Sequence, residues 1–356
     1  DDDSGGGCRV EGASCGSAML QSKGVRAKLT TDQQVHAALR ELAAGKQVGL
    51  SDGGGSGSFC DTSGDGGWSL AWGDEFDGLG LDKDSWVAIE GHNEKDKWHE
   101  VAGLEVTACR SATCRAENVR VEGGMLSLRS ERDATNRSKF YTGAVTTKGL
   151  RAWSTNDGPF RLCVRARLPS GGRGVWPAHW MLPDNGYSDK CLNGGEMDVL
   201  EMVNSDGSAW STYHEMAPMP RQYKCTEAFQ YYHKSVVHET KLGEDWHAAF
   251  HEYAVERTET DIVFAVDGRE VVRASAQSDF LAPRRVGPLA HSPFFLIMNT
   301  AVGGAWPGEP TDETRFPFQH DIDYVRVVRR PPTATAATAA TVNLAAGGAL
   351  APLPDT

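Results

Sequence analysis

Three carboxylic acids fall within six residues of the chain, directly after two glycines: Glu196, Asp198 and Glu201. Side chains on a regular strand alternate between its faces, so Glu196 and Asp198 would share a face and Glu201 would point away from it. One extra residue around Val199 and Leu200, a β-bulge, would return Glu201 to the face of the other two. The two glutamates would then lie about four strand positions apart, roughly 13 Å along the backbone, which converging side chains largely span.

Such a pair of carboxyl groups suits the cleavage of a glycosidic bond. A separation of about 5–6 Å is the one that a retaining glycosidase uses. Three close carboxylates cannot all ionise cheaply, so at least one should keep a raised pKa and supply an acid at neutral pH. A solvated helix is the alternative structure, but two glycines at its start would each cost about 1 kcal/mol, and a helix would scatter the acids around its circumference.

The composition excludes several classes of partner. The chain has 356 residues, of which 36 are basic and 48 acidic, giving a net charge of −12. Nucleic acids and anionic membranes bind basic surfaces, so we expect neither as a partner. No run of residues approaches the roughly 18 apolar positions that a membrane-spanning helix needs. The acid pair described above makes a polysaccharide the expected partner, and we expect a monomer.

The cysteines and the start of the chain favour a secreted protein. The chain begins at Asp1 rather than at a methionine, which is compatible with a removed signal peptide or with a fragment. Its eight cysteines form no Cys-x-x-Cys pair, which argues against zinc, and an even number suits disulfides. Candidate pairs are Cys109 with Cys114 and Cys191 with Cys225, although neither pairing follows from the sequence. A buried free thiol is an equally good interpretation of Cys163.

Composition divides the chain into three regions. All ten tryptophans lie between Trp68 and Trp306, so we place the main domain at residues 66–330. Residues 1–65 are a Gly-rich N-terminal extension with one predicted short helix, either an accessory or pro-segment or a structureless extension. Residues 331–356 are a Thr/Ala/Pro-rich linker or tail.

The main domain has the pattern of an all-β protein. Short runs with a period of two are separated by Gly, Asp and Asn, and an Asp-Gly pair at Asp267 predicts a tight hairpin turn. Strands and helices do not alternate. Many short strands of this kind favour an antiparallel sandwich or barrel.

A series of motifs in a fixed order resembles glycoside hydrolase family 16, most closely its laminarinase-like endo-β-1,3-glucanases, over about residues 68–330. The motifs are Trp72-Gly73-Asp74-Glu75-Phe76-Asp77-Gly78, Gly174-Val175-Trp176-Pro177-Ala178-His179-Trp180-Met181-Leu182-Pro183, Gly195-Glu196-Met197-Asp198-Val199-Leu200-Glu201, Phe250-His251-Glu252-Tyr253-Ala254-Val255-Glu256, Asn299-Thr300-Ala301-Val302-Gly303-Gly304-Ala305-Trp306-Pro307-Gly308 and Asp323-Tyr324-Val325-Arg326-Val327. The resemblance implies an antiparallel β-jelly-roll sandwich with a concave sugar-binding cleft.

The resemblance also implies roles for the three acids. Glu196 would be the nucleophile, and Glu201 would protonate the leaving oxygen and then activate water. Asp198 would hydrogen-bond Glu196 and help to set its protonation state. No cofactor is needed for catalysis. A structural calcium ion is implied away from the chemistry, with Glu75 and Asp323 as oxygen ligands, although the alternative is that both are surface charges.

Sugar binding requires flat apolar faces together with polar groups. The candidate platforms are four tryptophans, each of which has core packing as its alternative: Trp153, Trp176, Trp180 and Trp306. Asn299 follows an apolar run and could bind a sugar hydroxyl or simply end the strand. We expect His214 to lie in the cleft beside the acidic strand and to tune Glu201, with a structural histidine as the alternative.

Four functions compete on this sequence. The first is an endo-acting β-1,3-glucanase. The same fold could instead cleave mixed-linkage β-glucan or a galactan, or it could transfer the glycosyl group to another sugar. A glucan-recognition protein that only binds is the last, but such relatives typically lack the catalytic carboxylates, and this chain has all three.

Overall fold

The computed structural model describes residues 48–49, 57–64, 66–92, 108–184, 195–216, 233–275 and 292–332. Short 3-10 helices lie at Ala116–Asn118 and Thr155–Asp157. The strands of the described residues are β1 (Val48–Gly49), β2 (Ser69–Asp74), β3 (Val87–Ala88), β4 (Gly91–His92), β5 (Thr113–Cys114), β6 (Val119–Glu122), β7 (Met125–Arg132), β8 (Phe140–Thr142), β9 (Ala144–Thr146), β10 (Phe160–Arg167), β11 (Val175–Pro183), β12 (Glu196–Glu201), β13 (Ser208–Met216), β14 (His233–Lys241), β15 (His251–Arg257), β16 (Asp261–Val266), β17 (Arg269–Ser275), β18 (Phe294–Val302) and β19 (Phe318–Arg329).

These strands form two sheets. The first sheet has eight strands in the order β1-β14-β13-β12-β11-β18-β9-β3, so the acidic strand β12 lies near its centre. The second sheet has eleven strands, with β17-β16-β15-β10-β19-β7-β8-β5-β4 as its main path, β2 beside β19 and β6 beside β7. Pairing within the first sheet is antiparallel except between β1 and β14. The expected antiparallel sandwich is confirmed.

The core lies between the two sheets because each strand turns one row of apolar side chains inward. On β10 the row includes Leu162 and Val164, and on β12 it includes Met197 and Val199, all of them 0% exposed. Burial of each large apolar side chain contributes about 1.5–3 kcal/mol. At the Asp267-Gly268 turn both residues have positive φ, 49° and 75°, as the tight turn between β16 and β17 requires.

A short N-terminal segment covers the outer side of the second sheet. Cys60 forms a disulfide with Cys163 of β10, so Cys163 is not a free thiol. Glu252 of β15 accepts hydrogen bonds from Ser58 Oγ and, over 2.6 Å, from the backbone N–H of Phe59. Tyr324 adds a hydrogen bond from its hydroxyl to the same carboxylate at 2.7 Å. Ser58, Phe59 and Cys60 therefore pack on the second sheet.

Of the remaining predictions about disulfides and chain segments, one falls on described residues and the others do not. The disulfide between Cys109 and Cys114, one of the two candidate pairs, is present. Cys191, Cys225, the predicted N-terminal helix and most of the tail lie outside the described residues. Among the helices in the described ranges, none has the length and apolar character to cross a membrane.

Candidate active site

The acidic strand carries the bulge that its spacing predicts. Glu196 pairs with His214 of β13, Asp198 with Thr212, and Glu201 with Trp210. Between the last two pairs β12 advances by three residues, whereas β13 advances by only two. The extra residue lets two consecutive side chains, Val199 and Leu200, enter the core. It also places Glu201 on the face of Glu196 and Asp198.

The three carboxyl groups act on one another on this face. Glu196, Asp198 and His214 each bring one oxygen or nitrogen atom to within 4.8 Å of the others. Glu196 and Asp198 are joined by a side-chain hydrogen bond, and the charges of both act on Glu201. Asp198 is only 2% exposed, whereas Glu196 and Glu201 are partly accessible. A buried aspartate thus lies between two glutamates that reach the surface.

Burial shifts the acids toward their protonated forms. It raises the pKa of Glu196 well above its usual value, and the charge of Asp198 adds to the shift. It raises the pKa of Asp198 to about 7. For Glu201, burial and the charges of Asp198 and Glu196 raise the pKa well above the usual value, against a hydrogen bond from Trp176. The cluster therefore retains protons near neutral pH.

His214 lies beside Asp198 and Glu196 rather than beside Glu201, so the expected tuning of Glu201 by His214 is not what the contacts show. Its Nε2 atom is 3.2 Å from Asp198 Oδ2, and its Nδ1 atom is 2.8 Å from the hydroxyl of Ser235. Burial lowers the pKa of His214, although the charge of Glu196 opposes the shift. A largely neutral imidazole therefore borders the acids near pH 7.

Trp176 lies in the site but does not offer an open face to a sugar. It is 6% exposed, and its Nε1 donates a hydrogen bond to Glu201 Oε1 over 3.1 Å. Trp306 meets it edge-on, with ring centroids 5.4 Å apart, and meets Trp210 edge-on at 6.1 Å. Trp306 is half-buried and keeps part of its ring accessible.

Trp180 and Asn299 form one unit on the other side of the acids. Trp180 pairs with Asp198 across the strands, and its partly exposed ring remains a candidate platform. Its Nε1 donates to Asn299 Oδ1 over 2.8 Å, while Asn299 Nδ2 donates to the carbonyl of Ala108 over 2.7 Å. Asn299 is 3% exposed and lies within β18, so it does not end the strand, and its amide group bridges Trp180 and Ala108.

Trp153 is not a cleft residue, which corrects its interpretation as a platform. It is 5% exposed and belongs to the main core between the sheets. Its ring lies 5.4 Å from that of Trp72. The backbone of Trp153 pairs with Phe294, which leads its side chain into the interior.

Glu75 and Asp323 do not converge on a shared cation position. Glu75 accepts two hydrogen bonds from Arg326, each 2.8 Å long, and Asp323 is paired with Arg165. Each carboxylate is thus already neutralised by its own guanidinium, and a hard cation needs several convergent oxygen atoms. The donor set of these two residues does not fit calcium.

The sequence interpretation missed two residues at the acids. Trp210 pairs with Glu201 and is 7% exposed, and its Nε1 has no hydrogen-bond partner among the described residues. Its position four residues before His214 on the same strand was an available signal. Arg110 places its guanidinium 4.8 Å from the ring centre of Trp176. No local pattern indicated Arg110, because its loop reaches the site only through tertiary contacts.

The sandwich and its carboxyl cluster define a glycoside hydrolase, and the chain belongs to glycosyl hydrolases family 16, whose family model matches residues 117–326. A β-glucanase of Rhodothermus marinus is 33% identical over 273 residues, covering 74% of this chain and 85% of that protein. A glucan endo-1,3-β-glucosidase A1 of Niallia circulans is 29% identical, covering 74% of this chain and 38% of that protein.

A solved structure agrees with the fold. The laminarinase catalytic domain of Thermotoga maritima superposes with a TM-score of 0.59 at 30% identity, covering 74% of this chain and 98% of that domain. The β-jelly-roll expected from the sequence is confirmed.

Proposed function

We propose that the chain is an endo-acting, retaining glycoside hydrolase that cleaves β-1,3-glucan of the laminarin type. The observation that carries the proposal is the bulge in β12, which puts Glu196, Asp198 and Glu201 on one face. The similarity to a β-glucanase, a glucan endo-1,3-β-glucosidase and a laminarinase supports the substrate class.

In the first step Glu196, as a carboxylate, attacks the anomeric carbon. Glu201 gives its proton to the glycosidic oxygen as the bond between that oxygen and the anomeric carbon breaks. The products of this step are a free sugar hydroxyl and a glycosyl ester of Glu196. The raised pKa of Glu201 keeps the required proton on the acid near neutral pH.

In the second step the ionised Glu201 removes a proton from water. The resulting hydroxide attacks the anomeric carbon and displaces the carboxylate of Glu196, which restores both residues and gives a product with retained configuration. The hydrogen bond between Asp198 and Glu196 supports both steps. Because the pKa of Asp198 is about 7, Asp198 can hold a proton that stabilises the ionised nucleophile.

A polysaccharide screen tests the substrate. Laminarin, barley mixed-linkage glucan and agarose are incubated with the enzyme, and reducing ends and oligosaccharide sizes are followed over time. We expect short oligosaccharides from laminarin early in the reaction, as endo-cleavage requires. Faster cleavage of barley glucan or agarose would transfer the proposal to that substrate, products longer than the starting chains would indicate transglycosylation, and no product from any β-glucan would refute it.

Variants of the two glutamates test the mechanism. We expect Glu196→Gln to lose at least about a thousandfold in kcat, because no nucleophile remains. Glu201→Ala should regain activity with azide, which needs no general base, and should release a β-glycosyl azide. Proton NMR of the first product formed by the wild-type enzyme should show the β anomer. An α product would exclude the retaining route.

We also propose that the protein works outside the cytoplasm. The disulfides Cys60–Cys163 and Cys109–Cys114 support this location, because such bonds persist in oxidising compartments. A polymeric substrate is also met outside the cell. Fractionation of cells that express the protein, with immunodetection in the medium, checks the proposal.

A further inference from the structure

Arg110 lies on a small loop that is fixed beside the carboxyl cluster. The Cys109–Cys114 disulfide closes the loop. Its backbone pairs with Val302 at the end of β18, and the N–H of Ser111 donates to the Val302 carbonyl over 2.9 Å. Ser111 Oγ also donates to Glu309 Oε1 over 2.8 Å. The loop is therefore attached at several points to the segment that carries Trp306.

The side chain of Arg110 crosses this segment and covers Trp176. Arg110 has a positive φ of 53°, and its guanidinium carbon lies 4.8 Å from the centre of the Trp176 ring. The side chain passes close to Gly304: a Cβ atom there would be in ordinary van der Waals contact with Arg110 Cγ at 3.5 Å and with Trp176 Cζ3 at 3.7 Å. Because Trp176 donates to Glu201, the guanidinium, the indole and the carboxyl group form one continuous chain of contacts.

Most of the titratable groups around Arg110 are acids, on which its positive charge can act. The acids Glu196, Asp198 and Glu201 come from β12, the largely neutral His214 from β13, and Glu309 from the connection after β18. A retaining reaction needs one of the buried carboxyl groups ionised before substrate binds. The charge of Arg110 lowers the pKa of both Glu196 and Glu201, against the larger effect of burial.

We propose that Arg110 is a positioning residue for this reaction, which fixes the Trp176 indole against Glu201 and places a permanent positive charge beside the carboxyl cluster. The inference rests on the proposed function, since it assigns Arg110 to the same two carboxyl groups. A guanidinium suits both tasks, because it stacks on an aromatic face and keeps its charge at every relevant pH.

The test is the pH profile of kcat/KM on a soluble β-1,3-glucan for the wild type, Arg110→Gln and Arg110→Lys. Removing the charge in Arg110→Gln should raise both apparent pKa values and move the profile to higher pH by about 0.5–1 unit, as expected for one charge several ångströms away. Arg110→Lys keeps the charge but not the planar stack, so its profile should stay within about 0.2 unit of the wild type while kcat falls a few-fold. Arg137→Gln, an exposed arginine paired with Asp312, is the matched control.

The outcomes separate the possible roles. A profile of Arg110→Gln that is lower at every pH but unmoved would overturn the proposal and leave a structural role. A raised KM with unchanged kcat and an unmoved profile would overturn it in favour of a simple sugar contact. Thermal melting of each variant identifies misfolding, and Arg110→Met, which also removes the charge, replaces Arg110→Gln if that variant does not fold. A wild-type enzyme without β-glucanase activity would refute the proposed function itself, which these outcomes do not.

Discussion

At the scale of single residues, the proton on Glu201 is controlled by opposing contacts. Burial and the charges of Asp198 and Glu196 raise the pKa of Glu201, while the hydrogen bond from Trp176 stabilises the ionised form and lowers it. In the proposed mechanism Glu201 must be protonated for the first step and ionised for the second. The hydrogen bond from the indole therefore makes the ionised form of Glu201 accessible for the second step, while Glu201 still carries its proton for the first.

We expect Trp176→Phe to move the basic limb of the kcat/KM profile to higher pH, because the carboxylate of Glu201 loses its hydrogen-bond donor. A charge-assisted hydrogen bond contributes about 1.5–3 kcal/mol, so kcat should fall roughly tenfold or more. A pH-rate series on laminarin measures both effects. Trp153→Phe is the control: it alters a buried core tryptophan and should lower the melting temperature without moving the profile. An unchanged basic limb in Trp176→Phe would contradict the role given to the indole.

At the scale of elements, the residues of β12 both fix the register of the strand and carry the acids of the candidate active site. Val199 and Leu200 both enter the core, so the strand can pair with β11 and β13 only in the register that groups the acids. The spacing of the acids predicted this bulge on the condition that all three share one face, and the ordered series of motifs supported that condition. They did not predict the side-chain direction of Trp153, because a residue outside a regular strand takes its direction from tertiary packing.

For the same reason, the sequence could not predict which residues pair when they lie far apart along the chain. Cys60 and Cys163 are 103 residues apart, and nothing local distinguishes Cys60 from the other cysteines. The partners of Glu75 and Asp323 were likewise invisible, since their arginines reach them only after the second sheet has assembled. Periodicity therefore predicted the strands and the fold class, whereas it could not predict which separate segments meet.

We expect the double variant Cys60→Ser, Cys163→Ser to be less stable by about 2–5 kcal/mol, because a disulfide closing a long loop restricts the unfolded chain. The bond lies on the outer side of the second sheet, so kcat/KM at 25 °C should remain within about twofold of the wild type. Urea unfolding and laminarin assays measure the two quantities. Reduction of the wild type should lower the stability at least as much, because it also opens the Cys109–Cys114 disulfide. A large loss of activity in a folded double variant would contradict the separation of the two faces.

At the scale of the whole molecule, two buried histidines link the sheets. His179 of β11 and His320 of β19 lie with their Nε2 atoms 3.0 Å apart and their rings stacked. Burial lowers the pKa of both, and that of His320 falls to about 4. Two charged imidazoles at this distance would repel each other, so the pair must stay largely neutral for the sandwich to close.

We expect this pair to make the fold sensitive to acid. The pKa of His320 is about 4 in the folded state and about 6.5 when unfolded. Its contribution to the free energy of unfolding is therefore complete above pH 6.5 and is lost as the pH falls toward 4. The difference corresponds to about 3 kcal/mol. Urea unfolding at pH 7 and pH 4.5 should show a smaller loss of stability between the two pH values for His320→Gln than for the wild type. Titration of the active-site acids affects both proteins equally and cancels in this comparison. His247→Gln, on an exposed position, should behave as the wild type.

The indoles around Glu201 have a spectroscopic consequence. Trp176 and Trp306 lie with ring centres 5.4 Å apart, and Trp306 and Trp210 lie 6.1 Å apart. Rings this close couple their electronic transitions, and Trp176 is hydrogen-bonded to Glu201, which changes charge in the proposed mechanism. The protein thus contains its own optical reporter: near-ultraviolet circular dichroism, taken as the difference from Trp306→Phe, should follow ionisation of Glu201 and occupation of the site without any added label.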